Sequence, residues 1–540
     1  MFMIRDEIKA ALTKAVKKSF GGIKIPEFSV AIPESPEHGD YATNVAMVLA
    51  KVLKKPPMEI ATAIAQELRS RNYELWEVKI ASPGFINLFL LEEKLRNELE
   101  EILKQKEKYG RGKNKKEKIQ IEFISANPTG PLTLANGRGG FLGDALANVL
   151  EAGGFWVERE YYVNDAGNQV LLLGKSLLAA GGFMSEEENF YQGDYIKEWA
   201  KRHAAVVKRY RSDPMRLGQL AAKDFLSSIK KIIRKAGIRF DRFTSEAEQI
   251  HKKDWPGRVN RIFEDKGLLY KKDGAAWLKT TEFGDDKDRV LVTSDGFPTY
   301  FFADAGHYLE TKKRGFDTKI NIVGPDHYGY VARIQAVARM IGLKRSEVIV
   351  TQAVRLWRGG AEVKMSKRKG AFTTLQELLQ EIPLDAARYF FLEKSPDTHM
   401  DFDLDLAKER SVKNPVYYIQ YAHARTASIF GKIRNQKSEI KSINQNAKLN
   451  LLNKPEELGL LKKLIQFPEK IEDAAQDYQI HRLTRYAYEL ARAFHNFYEK
   501  HRVIVEDKEL TQARLALVKA TQVVLRSTLD LLGISAPRRM

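Results

Sequence analysis

An α/β fold, a mainly parallel sheet under covering helices, is predicted for the centre of this chain by three observations. Short apolar strands such as IQIEFI, WVEREYYV, KINIVG and EVIVTQAV alternate with amphipathic stretches from Ile119 to about Ser395, the rhythm of parallel βα units. A Pro/Gly turn, NPTGPLTLANGRGG, carries one of those strands into a helix, and unpaired N–H groups at such a helix entrance are suited to phosphates. After MDFDLDLAKERSVKNP only long apolar-periodic segments follow, so an all-α bundle closes the sequence.

Taken in order, MFMIRDEIKAALTKAVKKSF is an amphipathic helix, and PEHGDYATNVAMVLAKVLKKPPMEIATAIAQEL adds two helices parted by Pro56 and Pro57. WEVKIASPGFINLFL alternates as strand, turn, strand, so residues 1–110 are expected to form a small α+β module. The basic tract KQKEKYGRGKNKKEK reads as a solvated linker. Residues 115–395 are expected to hold the sheet, with a mostly helical insertion over about 170–260, and residues 396–540 the bundle.

With 540 residues and 44% hydrophobic content the chain is long enough for two to four domains. The 89 Lys+Arg against 70 Asp+Glu, a formal charge of +19, favour a polyanionic partner or an anionic membrane surface. No cysteine is present, which excludes disulfides, zinc–thiolate sites and thiol nucleophiles. No apolar run approaches the ~18 residues of a membrane span. A cytoplasmic protein with no membrane partner is expected.

Two segments carry unusual chemistry. FISANPTGPLTLANGRGGFLGDAL holds the strand-to-helix turn, and KMSKRKG, residues 364–370, lies between glycines and an apolar-periodic helix beginning at Thr373 or Thr374. A solvated surface loop is one reading of the second; a phosphate-gripping loop is the other.

Together the segments resemble the paired signatures of class I aminoacyl-tRNA synthetases, His-x-Gly-His and Lys-Met-Ser-Lys. The second match is literal; at the first this chain has Thr133, Leu134, Ala135 and Asn136. Both histidines are replaced, yet a threonine hydroxyl and an asparagine amide still supply neutral hydrogen-bond donors. SANPTGPL, YYVNDAGNQV, SDGFPTYFFADAGHYL, VGPDHYGYVAR, DAARYFFL, YYIQYAHAR and LLGISAPRRM narrow the resemblance to the arginyl-tRNA synthetase family, and PEHGDYATNVA resembles its N-terminal module.

The resemblance implies a Rossmann-like class I catalytic domain that activates L-arginine with ATP and transfers it to the terminal adenosine of tRNA(Arg). It makes Thr133, Asn136, Lys364, Ser366 and Lys367 the catalytic candidates. Pro131, Gly137, Gly324, His327 and Met365 become the ATP candidates. Glu122, Ser125, Asn127, Tyr300, Asp304 and Asp326 become the arginine candidates, since a guanidinium needs planar acceptors in a fixed geometry. Helical spacing puts Tyr300 and Asp304 on one face; which carboxylate meets the guanidinium and which the α-ammonium is left open. For Glu122, inside an apolar strand, a paired structural carboxylate is the other reading. Tyr418, Tyr421 and Met540 are the anticodon candidates, with helix-core packing the alternative for the tyrosines. Magnesium is expected with the ATP, without a dedicated carboxylate cage. A monomer is the family expectation, and a non-catalytic tRNA-binding paralogue is the competing function.

Overall fold

The computed structural model describes residues 3–70, 76–363, 374–435 and 447–540. Lys364, Met365, Ser366 and Lys367 lie outside the described residues.

The amino-terminal module comprises α1 (Ile4–Phe20), β1 (Val30–Ala31), β2 (Tyr41–Thr43), α2 (Val45–Leu53), α3 (Pro57–Ser70), β3 (Trp76–Ala81), β4 (Phe85–Leu90) and α4 (Glu92–Gln105). Its antiparallel sheet has the order β1-β2-β4-β3. Ile4, Ile8, Leu12 and Val16, four apart, form the buried stripe of α1. Arg5 holds the module to the carboxy-terminal bundle through Asp473, 2.5 Å away, and Glu469, whose carboxylate also accepts from Tyr41 at 2.9 Å.

The tract read as a solvated linker is partly fastened down. Gly112 and Lys115 donate backbone bonds to Ala152 and Gly154 at 2.7 Å, and Lys115 lies over the Phe155 ring. Backbone pairing held these residues where composition alone signalled solvation.

The central region runs β5 (Lys118–Glu122), α5 (Leu134–Ala152), β6 (Trp156–Val163), α6 (Gly167–Ala180), α7 (Asp194–Arg202), α8 (Ala204–Arg209), α9 (Pro214–Lys235), β7 (Arg242–Ser245) and α10 (Trp255–Asp265). It continues through β8 (Leu269–Lys272), β9 (Ala275–Leu278), β10 (Arg289–Val292), α11 (Tyr300–Lys313), β11 (Thr318–Val323), α12 (Val331–Ile341) and β12 (Arg345–Val350). Five strands form one parallel sheet in the order β12-β11-β5-β6-β7. The stretch expected as an insertion is helical from α6 to α9, but it also contains β7, the edge strand. Four residues, RFTS, are too few for alternation to be read. β8, β9 and β10 make a separate antiparallel sheet.

β13 (Val354–Arg358), β14 (Ala361–Val363), α13 (Leu375–Glu381), α14 (Leu384–Glu393), β15 (Met400–Asp403) and α15 (Leu404–Lys408) follow. β15 pairs parallel with β13, so sheet pairing continues past residue 395. The bundle is α16 (Pro415–Asn435), α17 (Pro455–Leu464), α18 (Phe467–Asp477), α19 (His481–Lys500) and α20 (Lys508–Leu532). Among the described residues no helix is long and apolar enough to cross a membrane.

Candidate active site

The two faces of the central sheet differ. Toward α5 the strands present Ile119, Ile121, Phe123, Tyr161, Ile320 and Ile322, all buried. Glycines let the helix approach: a Cβ at Gly143 would stand 2.3 Å from the Phe123 ring. Toward α11 the alternate positions are polar, and the register lines them up. Lys319 lies opposite Gln120, and Asn321, Glu122, Glu160 and Arg242 form one row across four strands.

α11 covers this row and supplies its partners. His307 Nε2 lies 3.0 Å from Glu160 Oε2, Thr311 donates to Gln120 at 2.9 Å, and Arg242 donates to Glu310 at 2.9 Å. Glu160 also accepts from Thr244. Burial works to raise the Glu160 carboxyl, but the charges of His307 and Lys319 prevail and hold it far below the usual carboxylate range.

At the carboxyl edge the row opens toward the solvent. Glu122 ends β5, and Asp304 lies on the second turn of α11, where it accepts from the Tyr330 hydroxyl. Burial, opposed by that bond and aided by the Glu122 charge, pushes the Asp304 carboxyl up to about 6. The Tyr162 ring stacks on His307 at 4.4 Å. Burial and then the charges of Glu246, Asp304 and Glu122 push its phenol well above the ordinary tyrosine value. A third carboxylate, Glu246, therefore joins the group. It is only 5% exposed, begins a π-helical turn after β7, and lies 3.0 Å from His251.

The entrance of α5 follows the carboxyl end of β5 along the chain. Thr133 is its N-cap: the hydroxyl accepts from Asn136 N at 3.4 Å, and Thr133 N donates to Asn136 Oδ1 at 2.9 Å. The threonine hydroxyl also donates to that same oxygen at 2.9 Å, so it is engaged with the cap. Asn136 Nδ2 has no hydrogen-bond partner among the described residues. Pro131 is exposed, and Gly137 is buried against Leu375. Leu375 N donates to Leu132 O at 2.9 Å and Thr374 bridges Thr133, so the residues after the second signature return to the first.

The other expected residues gather at the same edge. Ile124 and Ser125 take left-handed conformations at φ 65° and 36°, turning the chain at the end of β5, and the Ser125 hydroxyl accepts from Tyr162 N at 3.0 Å. Asn127 is exposed; Tyr300, 54% exposed, opens α11 one turn before Asp304. Gly324 caps a 3-10 turn after β11 that leaves Asp326 and His327 exposed and 3.6 Å apart.

Carboxylates that can pair with a cation and a helix entrance that can meet a phosphate are thus both present in the central region. The chain matches the families described as arginyl tRNA synthetase N terminal domain over residues 3–90, tRNA synthetases class I (R), catalytic domain, over 98–428, and DALR anticodon binding domain over 419–540. It is 41% identical to an arginine–tRNA ligase of Geobacter sp. (strain M21), covering 99% of this chain and 100% of the relative. A Listeria monocytogenes arginine–tRNA ligase is 42% identical over 99% and 98%. The chain belongs to the arginyl-tRNA synthetase family. The Thermus thermophilus arginyl-tRNA synthetase shares its fold over the whole of both chains, with a TM-score of 0.79 at 22% identity.

The expected anticodon tyrosines share one neighbour and differ in the others. Tyr421 stacks with Tyr417 at 6.3 Å and lies under the Arg425 guanidinium, 4.9 Å from the ring centre. Tyr418 packs on Tyr488 at 5.3 Å, and His495 touches both tyrosines, 4.5 Å from Tyr418 and 5.8 Å from Tyr421. Met540 is 50% exposed, while the tail before it is held by His423, 2.8 Å from Pro537 O. Sequence reasoning missed Glu246, Tyr162, Tyr330 and the Lys319–His307 pair. Alternation in WVEREYYV signalled that Glu160 and Tyr162 share a face; nothing local marked Glu246.

Proposed function

We propose that this site activates L-arginine with ATP and then charges tRNA(Arg). The observation that carries the reading is the group Glu122, Asp304 and Glu246 around Tyr162, with the capped entrance of α5 following β5 along the chain. Arginine brings two cations, and charge-assisted hydrogen bonds to fixed carboxylates recognise both. An analogue without the guanidinium leaves buried acceptors unpaired, which can reject it by ~10⁴ or more.

In the first step a carboxylate oxygen of arginine attacks the α-phosphorus of ATP, the bond to the β-phosphate oxygen breaks, and pyrophosphate leaves. The 2′-hydroxyl of the terminal adenosine then attacks the arginyl carbonyl, and AMP leaves with the electron pair. The protein positions reactants and stabilises charge. Asn136 Nδ2 donates to the phosphates, with Pro131, Gly137, Gly324 and His327 bordering the nucleotide. Lys364, Ser366 and Lys367, with Met365 between them, serve the leaving pyrophosphate. Tyr300, Ser125, Asn127 and Asp326 orient arginine, and Tyr421 and Met540 meet the anticodon loop.

Magnesium accompanies ATP as a counter-charge. Among the described residues the one convergent ligand group, Glu122, Glu160 and His307, does not fit a metal, because the Lys319 ammonium lies within 3.0 Å of Glu122 and 3.4 Å of Glu160. No step is routed through it. A cytoplasmic monomer completes the reading, and no observation favours a non-catalytic paralogue.

ATP–pyrophosphate exchange with each amino acid, with and without tRNA, tests it. Exchange is expected with arginine alone among the amino acids and only once tRNA is added. Exchange driven by another amino acid would overturn the substrate assignment; equal rates without tRNA would overturn the order.

A further inference from the structure

Lys319 is fully buried in the middle of β11, at 0% side-chain exposure. An ammonium in such a place costs several kcal/mol unless it is well paired, and an aliphatic residue would fill the space without that cost. Its Nζ lies 2.6 Å from Gln120 Oε1, 3.0 Å from Glu122 Oε2, 3.4 Å from Glu160 Oε2 and 3.5 Å from Thr311 Oγ1. The Tyr308 ring closes the site at 5.2 Å. Glu122, Glu160 and His307 bring ligand atoms within 4.8 Å of one another, the geometry of a metal cluster. The lysine supplies the positive charge there. Burial alone would lower its basicity, but the charges of Glu122 and Glu160 reverse this and hold the ammonium above its ordinary value.

The pairing is directional. Glu122 Oε2 receives Lys319 and also Asn321 Nδ2 at 2.9 Å, and Tyr308 fixes that amide by donating to Asn321 Oδ1 at 2.7 Å. Glu122 Oε1 has no partner among the described residues, and the side chain is 13% exposed at the open edge of the row.

We propose that Lys319 is a positioning residue for arginine: its ammonium offsets the Glu160 charge and so keeps Glu122 Oε2 inward on Asn321, with Oε1 facing a cation of the substrate. This rests on the reading of Glu122 as an arginine-site carboxylate. Lys319 is faced by Glu122 from β5, Glu160 from β6, and His307 and Glu310 from α11. Glu122 is faced in addition by Asp304 and Tyr162. Without the lysine, two carboxylates share one site with only His307 between them, and like charges so placed draw in a proton.

The test compares the full-length K319M, E160Q, K319M/E160Q and E122Q variants with the parent, reading the Michaelis constants of arginine and ATP from pH 6.5 to 9. K319M is expected to raise the arginine constant at least about tenfold at pH 7.5, with ATP within about twofold and the arginine defect shrinking as pH rises. The double variant is expected to regain most of the arginine affinity, because deleting Glu160 with Lys319 restores the charge balance. If K319M does not fold, the double variant carries the test: an arginine constant within about threefold of the parent supports the proposal. An unchanged constant in K319M, or a pH-independent increase that E160Q does not relieve, overturns it. An arginine constant unchanged in E122Q instead removes Glu122 from the site, and the proposal falls with that reading.

Discussion

The two faces of the central sheet are built from the same strands and do opposite work. Under α5 lie Ile119 and Ile121, the odd positions of β5, with Phe123 just after it, and contact is so close that a Cβ at Gly143 would stand 2.3 Å from the Phe123 ring. Under α11 the even positions are Gln120 and Glu122, continued by Glu160, Lys319 and Asn321, and contact is made through hydrogen bonds. Dense apolar packing resists volume change but is indifferent to charge. A buried polar network responds to charge strongly and to every unpaired atom. The first face thus fixes where α5 delivers its N-terminus, while the second sets the charge of the edge proposed to bind arginine. Parallel strands buried on both sides are usually continuous apolar runs; period-two alternation in a parallel strand is here the mark of the face proposed to carry function.

The largest effect is expected where the apolar face delivers its cargo. Asn136→Ala removes a side-chain donor that has no partner among the described residues, and deleting a donor to developing negative charge typically costs ~10²–10³ in rate. Pyrophosphate exchange should fall by that much with the arginine Michaelis constant little changed. Asn136→His should retain much of the activity and show a new pH dependence between about 5 and 8 as the imidazole titrates. An Asn136→Ala enzyme as fast as the parent would reduce the turn to a connector.

Next comes the polar face. Asp304→Asn keeps the shape and removes a charge, a loss worth ~1.5–3 kcal/mol for a charged hydrogen bond. Arginine affinity should fall at least about tenfold while that of ATP stays. Because the Asp304 carboxyl is pushed up to about 6, the parent should already lose arginine affinity as pH falls through 6, and the asparagine variant should not share that dependence. Linkage gives the sign for the free protein. A raised carboxyl contributes stability that is fully present below the unfolded value and lost as pH rises through the folded one. Saturating arginine should therefore raise Tm more at pH 7 than at pH 5; an equal shift at both would take Asp304 out of the site.

Much of this contrast was legible in the sequence. Strand–helix alternation marked the sheet, and motif blocks singled out Glu122, Asp304, Thr133 and Asn136 as candidates, of which Glu122 ends β5, Thr133 caps α5 and Asp304 lies on α11. Glu246 was not legible, because it reaches the site only through β7, a strand too short to show a pattern. Lys319 was hidden for another reason: in KINIVG it reads as the exposed position of an alternating strand. Only register opposite Gln120, and helix α11 above, show that it is buried.

A smaller effect separates packing from charge. Gly143→Ala places a Cβ 2.3 Å from the Phe123 ring, and overpacking of this kind costs ~1–3 kcal/mol. Tm should fall, with the arginine Michaelis constant of the folded fraction unchanged. A pH-dependent change in that constant would show that the faces are not independent.

The smallest effect expected belongs to Thr133. Its hydroxyl accepts from Asn136 N and donates to Asn136 Oδ1, at 3.4 and 2.9 Å, so it is occupied as the α5 cap and aims Asn136. Losing a threonine cap costs ~1 kcal/mol. Thr133→Ala should lower stability by about that amount and exchange by a few-fold, through a loosened Asn136, and Thr133→Ser should restore both, since serine caps equally well. Combining Thr133→Ala with Asn136→Ala then separates two roles. If threonine acts only by aiming the amide, the double variant should exchange no more slowly than Asn136→Ala alone, because residues acting through one group are not additive. If the two losses multiply, the hydroxyl touches the nucleotide itself, and Thr133 moves from the scaffold of the apolar face into the chemistry.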